Sequence, residues 1–168
     1  GKGKIRRQKT IEISVPAGID DDQILNVGGK GNAGSNGGPN GDLHVYITVR
    51  PHAIFTRRGN DVWCDMPITF TQAALGAEVT VPTLDGKVSY TVHEGTQPGD
   101  VFKLKGKGIQ SINGRGRGDQ YVRVTVEVPK NLSKRQKELL QEFEQNADEK
   151  NYQKRKSFFG KIKGMFED

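Results

Sequence analysis

The first run of residues whose spacing suggests chemistry is Gly29-Lys30-Gly31-Asn32-Ala33-Gly34, a GxGxxG pattern. Glycines so spaced cradle a pyrophosphate only where a strand enters and a helix leaves, because the helix N-terminus holds the anion. A polar run of Gly, Asn and Pro follows here and cannot start a helix, so nucleotide binding is not expected. No Gly-Lys pair is followed by Ser or Thr, as a Walker loop requires. Arg115 and Arg117 stand in a second glycine-rich loop and could touch phosphate. They lack the interleaved aromatics of a single-strand binder, so a basic nucleic-acid-binding β protein is the alternative reading and ranks second. Asp20-Asp21-Asp22 is a turn, without the spaced ligands, central glycine and closing glutamate of a calcium loop. His44, His52 and His93 are scattered and Cys64 has no partner, which gives neither a metal set nor a nucleophile beside a base. An enzyme is therefore not expected. The remaining candidates are apolar. Ile11, Ile13 and Phe55 either fill a core, the commoner fate of such residues, or line a shallow groove beside an edge strand that accepts an extended peptide by strand addition.

What must position these groups is a duplicated unit. Gly29-Lys30-Gly31, Gly41-Asp42, Val45 and Val49 recur as Gly106-Lys107-Gly108, Gly118-Asp119, Val122 and Val126, with Val15 and Gly18 recurring as Val92 and Gly95. Every pair has one shift, about 77 residues, with no gap. Arg117-Gly118-Asp119 spells an adhesion tripeptide, but its counterpart is Asn40-Gly41-Asp42, and a turn entering a strand explains both. Alternation predicts strands at Thr10–Val15, at Ile24–Val27 and at Leu43–Val49, with a long loop over 28–41. Further strands are predicted at Val62–Phe70, Ala77–Val81 and Lys87–Val92, with a helical turn at Thr71–Leu75 and Asp85-Gly86 as a hairpin signal. The replay then gives strands around Val101–Leu104 and Tyr121–Val128.

Beyond Pro129 the pattern becomes helical. Ser133 and Gln136 match a capping box, which also accounts for Ser133 in the Asn131-Leu132-Ser133 glycosylation pattern. Leu139, Leu140, Phe143 and Ala147 fall on one helical face. Residues 148–157 are charged and read as loose, and Phe158, Phe159, Ile162, Met165 and Phe166 follow at helical spacing with lysines between them. The second copy is preceded by residues 52–89, which supply the early strands of its sheets. The first copy has nothing equivalent before residue 10, so its opening strands are expected to be missing and the chain to be a fragment.

The chain has 168 residues, a formal charge of +6 concentrated near its ends, and one cysteine. No disulfide framework is possible within it, and a reducing, cytoplasmic compartment fits. No apolar run approaches a membrane span and no secretory signal is present, so no membrane partner is expected; the tail has the lysines and phenylalanines of an amphipathic membrane-surface helix but is short for one.

Gly1-Lys2-Gly3 looks like the tail of a CxxCxGxG zinc repeat cut after its last cysteine. There follow Ser14-Val15-Pro16-Ala17-Gly18-Ile19, Gly29-Lys30-Gly31, Gly41-Asp42-Leu43, Arg50-Pro51-His52, and Phe55 with Arg58-Gly59-Asn60-Asp61. Ala74-Leu75-Gly76 leads to Val81-Pro82-Thr83-Leu84-Asp85-Gly86, then Lys105-Gly106-Lys107-Gly108 and Gly118-Asp119. In this order they strongly resemble the C-terminal region of a bacterial DnaJ, the zinc-containing class of J-domain co-chaperones. The resemblance implies a mainly β fold, with two β-sandwich-like domains in series, the first incomplete, and a C-terminal dimerisation helix. It implies a remainder of the first substrate-binding domain at 1–51, a second β domain at 52–130, the dimerisation helix at 131–147 and a basic, aromatic tail at 148–168. Ile11 and Phe55 would belong to the client-peptide pocket, with Ile13 beside them. Leu139, Leu140 and Phe143, joined by Phe158, Phe159 and Phe166, would make the homodimer. Partners would be unfolded clients and, for the full-length protein, a DnaK-type ATPase chaperone. No cofactor is expected in this fragment, zinc belonging to the full-length family member.

Overall fold

The computed structural model describes residues 8–167, and these form two compact units that divide between Glu127 and Val128. In the first unit the strands are β1 (Ile24–Val27), β2 (Leu43–Tyr46), β3 (Thr56–Arg58), β4 (Asp61–Thr69), β5 (Ala77–Thr83), β6 (Gly86–Val92), β7 (Val101–Leu104) and β8 (Gln120–Glu127), with a short helix α1 (Phe70–Leu75) after β4. Sheet order is β1-β2, β3-β4-β8-β7 and β5-β6. All pairs are antiparallel except β4 with β8, which run parallel from Val62↔Gln120 to Thr69↔Glu127.

Alternation decides which side chains enter the core. On β4, Val62, Cys64 and Ile68 are buried, and on β8 Gln120, Val122 and Val124. Val81 of β5 meets Cys64 and Val122, while Val92 of β6 joins Ile68, Ala73 and Val124. The β5–β6 hairpin is thus the second layer of a small sandwich. Its two-residue turn falls on Leu84-Asp85, one residue earlier than the Asp85-Gly86 signal, with Thr83↔Gly86 as the last pair. The end of α1 is set by Gly76 at φ +78, and its start by a capping box of Thr69 with Gln72. Pro67 falls beyond the reach of β3, where a missing N–H costs no ladder bond on that side.

The duplication is written in the hydrogen bonds. Ile24↔Tyr46 through Val27↔Leu43 repeats as Val101↔Arg123 through Leu104↔Gln120. Gly31 N–H donates to Gly41 O at 2.8 Å, as Gly108 does to Gly118 at 2.8 Å. Gly29 N–H donates to the Asp42 carboxylate at 3.1 Å, as Gly106 does to Asp119 at 2.8 Å.

Two expectations are corrected. Thr10–Val15 alternates like a strand, yet joins no sheet among the described residues. Its counterpart β6 is held by β5, and the repeat shift places a counterpart of β5 before residue 7, outside the described residues. Alternation alone makes no strand where no described strand lies beside it. Gly1-Lys2-Gly3 also lies outside the described residues. Second, residues 148–157 are ordered. Asp148 caps a 3-10 turn at Glu149–Asn151, accepting from Lys150 N–H at 2.9 Å, and a helix begins at Gln153. Local capping there offsets the run of charge.

The second unit holds α2 (Lys134–Asn146) and α3 (Gln153–Phe166). Ser133 and Gln136 form the predicted capping box, with bonds of 3.1 and 2.8 Å. No residue of either helix is buried.

Candidate functional site

Thr10–Val15 keeps the in–out alternation of a strand without the pairing. Ile11 and Ile13 are half-buried, Glu12 and Ser14 exposed. The segment ends in the turn Pro16–Ile19, where Ile19 N–H donates to Pro16 O at 3.3 Å. That turn is fastened on two sides. Arg57, on β3, donates through Nη1 to Ile19 O at 2.6 Å and through Nη2 to Gly18 O at 2.8 Å, while Nε reaches Gly59 O at 2.8 Å. A fixed guanidinium fork suits this, since its N–H groups diverge toward separate carbonyls. On the other side Gly18, at φ +91, presses against the Gln110 carbonyl and the Ile112 amide of the second glycine loop. Any Cβ there would enter the Gln110 carbonyl. The corner of the first copy is therefore seated on the loop of the second.

Phe55 lies just before β3 and is half-buried. Its ring packs against the Cys64–Val81–Val122 core. It also meets His52, with centroids 5.1 Å apart, and the amides of Ile54 and Phe55 both donate to His52 Nδ1 at 3.0 and 3.3 Å. The structure thus places Phe55 on the core of the second domain, and Ile11 and Ile13 on the extended stretch Thr10–Val15. Arg57, which holds that segment, was not picked out from sequence. An arginine entering a short strand looks like surface charge until its carbonyl partners are known.

In the second unit Leu139, Leu140 and Phe143 of α2 are 47%, 38% and 47% exposed. Phe158 and Phe159 of α3 are also exposed and meet edge-on at 5.2 Å. None of the 13 residues of α2 is buried, and isolated helices of this length are marginal.

The remaining polar groups are structural. Arg117 donates through Nε and Nη2 to Gly108 O at 3.1 and 2.6 Å, and through Nη1 to Asp85 at 2.6 Å, so it closes its own loop. The Asp42 carboxyl is held below its ordinary value of 3.8, first by the Gly29 amide and then by Asn26. Burial pushes the Cys64 thiol up, and Gln120 donates to its sulfur at 3.6 Å. Among the described residues no group of three or more His, Cys, Asp or Glu could hold a metal ion. No helix among the described residues is long and apolar enough to cross a membrane.

Comparison with known proteins agrees with this organisation. A family model described as the DnaJ C terminal domain matches residues 2–129, and one described as the chaperone protein DnaJ C-terminal region matches 135–168. The chain is 59% identical to chaperone protein DnaJ of Ruminiclostridium cellulolyticum, over 97% of this chain and 43% of that one. It is 55% identical to that of Clostridioides difficile, over 96% and 42%, and 52% identical to that of Desulfitobacterium hafniense, over 100% and 45%. The chain spans less than half the length of these relatives.

Proposed function

Because this chain belongs to the DnaJ C-terminal domain family, we propose that it is the client-binding and self-associating portion of a co-chaperone. The observation that carries the reading is the extended segment Thr10–Val15, whose backbone joins no described sheet while Ile11 and Ile13 are only half-buried. Such a segment pairs with an extended polypeptide through its main chain, which is indifferent to client sequence, and adds a few apolar contacts. Two or three apolar side chains contribute roughly 1.5–3 kcal/mol each. Ordering costs reduce that sum, leaving micromolar binding, about −8 kcal/mol. Weak binding suits a chaperone that holds aggregation-prone clients and releases them to a DnaK-type ATPase partner.

Self-association is assigned to α2, where Leu139, Leu140 and Phe143 present an apolar face that a second copy would cover. The fluorescence anisotropy of a labelled, permanently unfolded polypeptide tests the first part. Binding should be micromolar, insensitive to salt, and weakened about a hundredfold or more by Ile11→Ser with Ile13→Ser, from the apolar burial lost. Steeply salt-dependent binding to DNA, with none to unfolded polypeptide, would overturn it in favour of the nucleic-acid reading. Light scattering on this chain and on a version ending at Pro129 tests the second. The full chain should have twice its formula mass and the shortened one the mass of a monomer.

A further inference from the structure

Between Gln153 and Phe166, α3 carries five cations, Lys154, Arg155, Lys156, Lys161 and Lys163, and no carboxylate. At 3.6 residues per turn, Phe158, Ile162 and Met165 form one row along the helix, with Phe159 and Phe166 in the row beside it. Lys154 and Lys161, two turns apart, run along one margin of this stripe. Lys156 and Lys163, also two turns apart, run along the other. The opposite face holds Gln153, Ser157, Gly160 and Gly164, all small or uncharged. Most of the stripe is open: Phe158, Phe159, Met165 and Phe166 are 58%, 50%, 75% and 81% exposed, with Ile162 between them half-buried. Arg155 lies within the stripe one turn before Phe159, its Cζ 5.0 Å from that ring. Lys156 and Lys163 reach Glu149 and Glu167 at 3.9 and 3.6 Å, but all four side chains are more than half exposed, so these pairs hold little.

The charge decides what covers this stripe. A second copy of α3 would set basic margins against basic margins in either orientation, and like charges so opposed repel. An anionic bilayer surface matches both features at once. The phenylalanines enter the acyl boundary, and the lysines of both margins reach up to the lipid phosphates. The uncharged back of the helix then faces water. We propose that α3 lies in the plane of a membrane surface rich in anionic phospholipid. The helix is about 21 Å long by its rise per residue and is too charged to span. The sequence ranks a membrane-surface use of this tail second because the segment is short; a helix running from Gln153 to Phe166, with lysines on both sides of one aromatic stripe, answers that objection. The proposal is independent of client binding.

Flotation of the full chain with vesicles of phosphatidylcholine and phosphatidylglycerol, against phosphatidylcholine alone, tests it. The chain should float with the anionic vesicles, detach as salt rises, and stay behind with neutral ones. Lys154→Ala with Lys161→Ala should lower partition about thirtyfold. Phe158→Ser with Phe166→Ser should lower it at least as much, with helix content and molar mass unchanged in both variants. Equal partition to neutral vesicles, or no flotation at low salt, overturns the proposal. So does a phenylalanine variant that halves the molar mass and floats unchanged, which would assign the stripe to a second copy. Inorganic phosphate at matched ionic strength should not compete; competition would assign the site to free phosphate instead.

Discussion

The two copies of the repeat share one set of backbone bonds and live in different surroundings. Val122 is fully buried and Val45, its counterpart, is half-buried; Val124 is 1% exposed and Ile47 half-buried. The cause is the neighbour on the far side. β8 has β4 along it for eight residues, while β2 has β1 alone. The glycine loops differ likewise. Loop 105–118 is tied to Asn60 and Asp61, through Ile109 N–H at 2.7 Å and Asp119 N–H at 2.8 Å, and Arg117 binds it to the hairpin turn. Loop 28–41 has Asn40 in place of Arg117, reaching only Gly29 O at 3.4 Å. Local sequence dictates the ladder and the glycine turn; burial is conferred by whatever packs beside them.

If so, equal mutations should have unequal effects. Val122→Ala should cost about 2–3 kcal/mol of unfolding free energy, and Val45→Ala under about 1 kcal/mol, read from urea midpoints. Equal losses would break the comparison. Gly18→Ala, where the copies touch, should cost about 2 kcal/mol, because φ is positive and the Gln110 carbonyl occupies the Cβ position. Gly29→Ala has the same sign of φ but open space and should cost about 1 kcal/mol, in the same assay. Arg117→Asn, which gives the second loop the residue of the first, should lower stability by about 1 kcal/mol. The smallest effect is one of pH. Asp42 has a lowered folded pKa, so its bonds to Gly29 and Asn26 add stability above the ordinary value of 3.8 that is lost as pH falls through the lowered one. The Gly29 amide resonance should therefore shift only below about pH 3.8, and not at all in Asp42→Asn.

Most of the strand plan was legible, because alternation and glycine turns are local. β1, β4, β6, β7 and β8 stand within a residue or so of their patterns, and the Ser133 cap could be read from two residues three apart. β3 was missed, since three residues with two arginines show no period. Thr10–Val15 shows the limit of pattern. Its sequence satisfies a strand, but strand formation is a property of pairs. Phe55 shows another. Its spacing to Ile11 and Ile13 along the chain said nothing of the Cys64–Val81–Val122 core that takes its ring. Gln120 was invisible for a related reason: a polar residue in a buried row, with Nε2 donating to Pro82 O at 2.9 Å and Oε1 unpaired among the described residues, has no signature in hydropathy. For the tail, the aromatic spacing and the lysines between were readable, while the start of the helix at Gln153 was not, because residues 148–157 read as loose.

Gly37 and Gly114, at the tips of the two glycine loops, point into empty space, whereas Gly18 is wedged against the main chain of the second loop. The molecule can therefore be lengthened at either tip, by a spliced epitope or a dye-bearing cysteine, at little more than the entropy of a longer loop. The corner at Gly18 tolerates no such graft. A fluorophore pair at the tips would leave the joint between the repeats undisturbed.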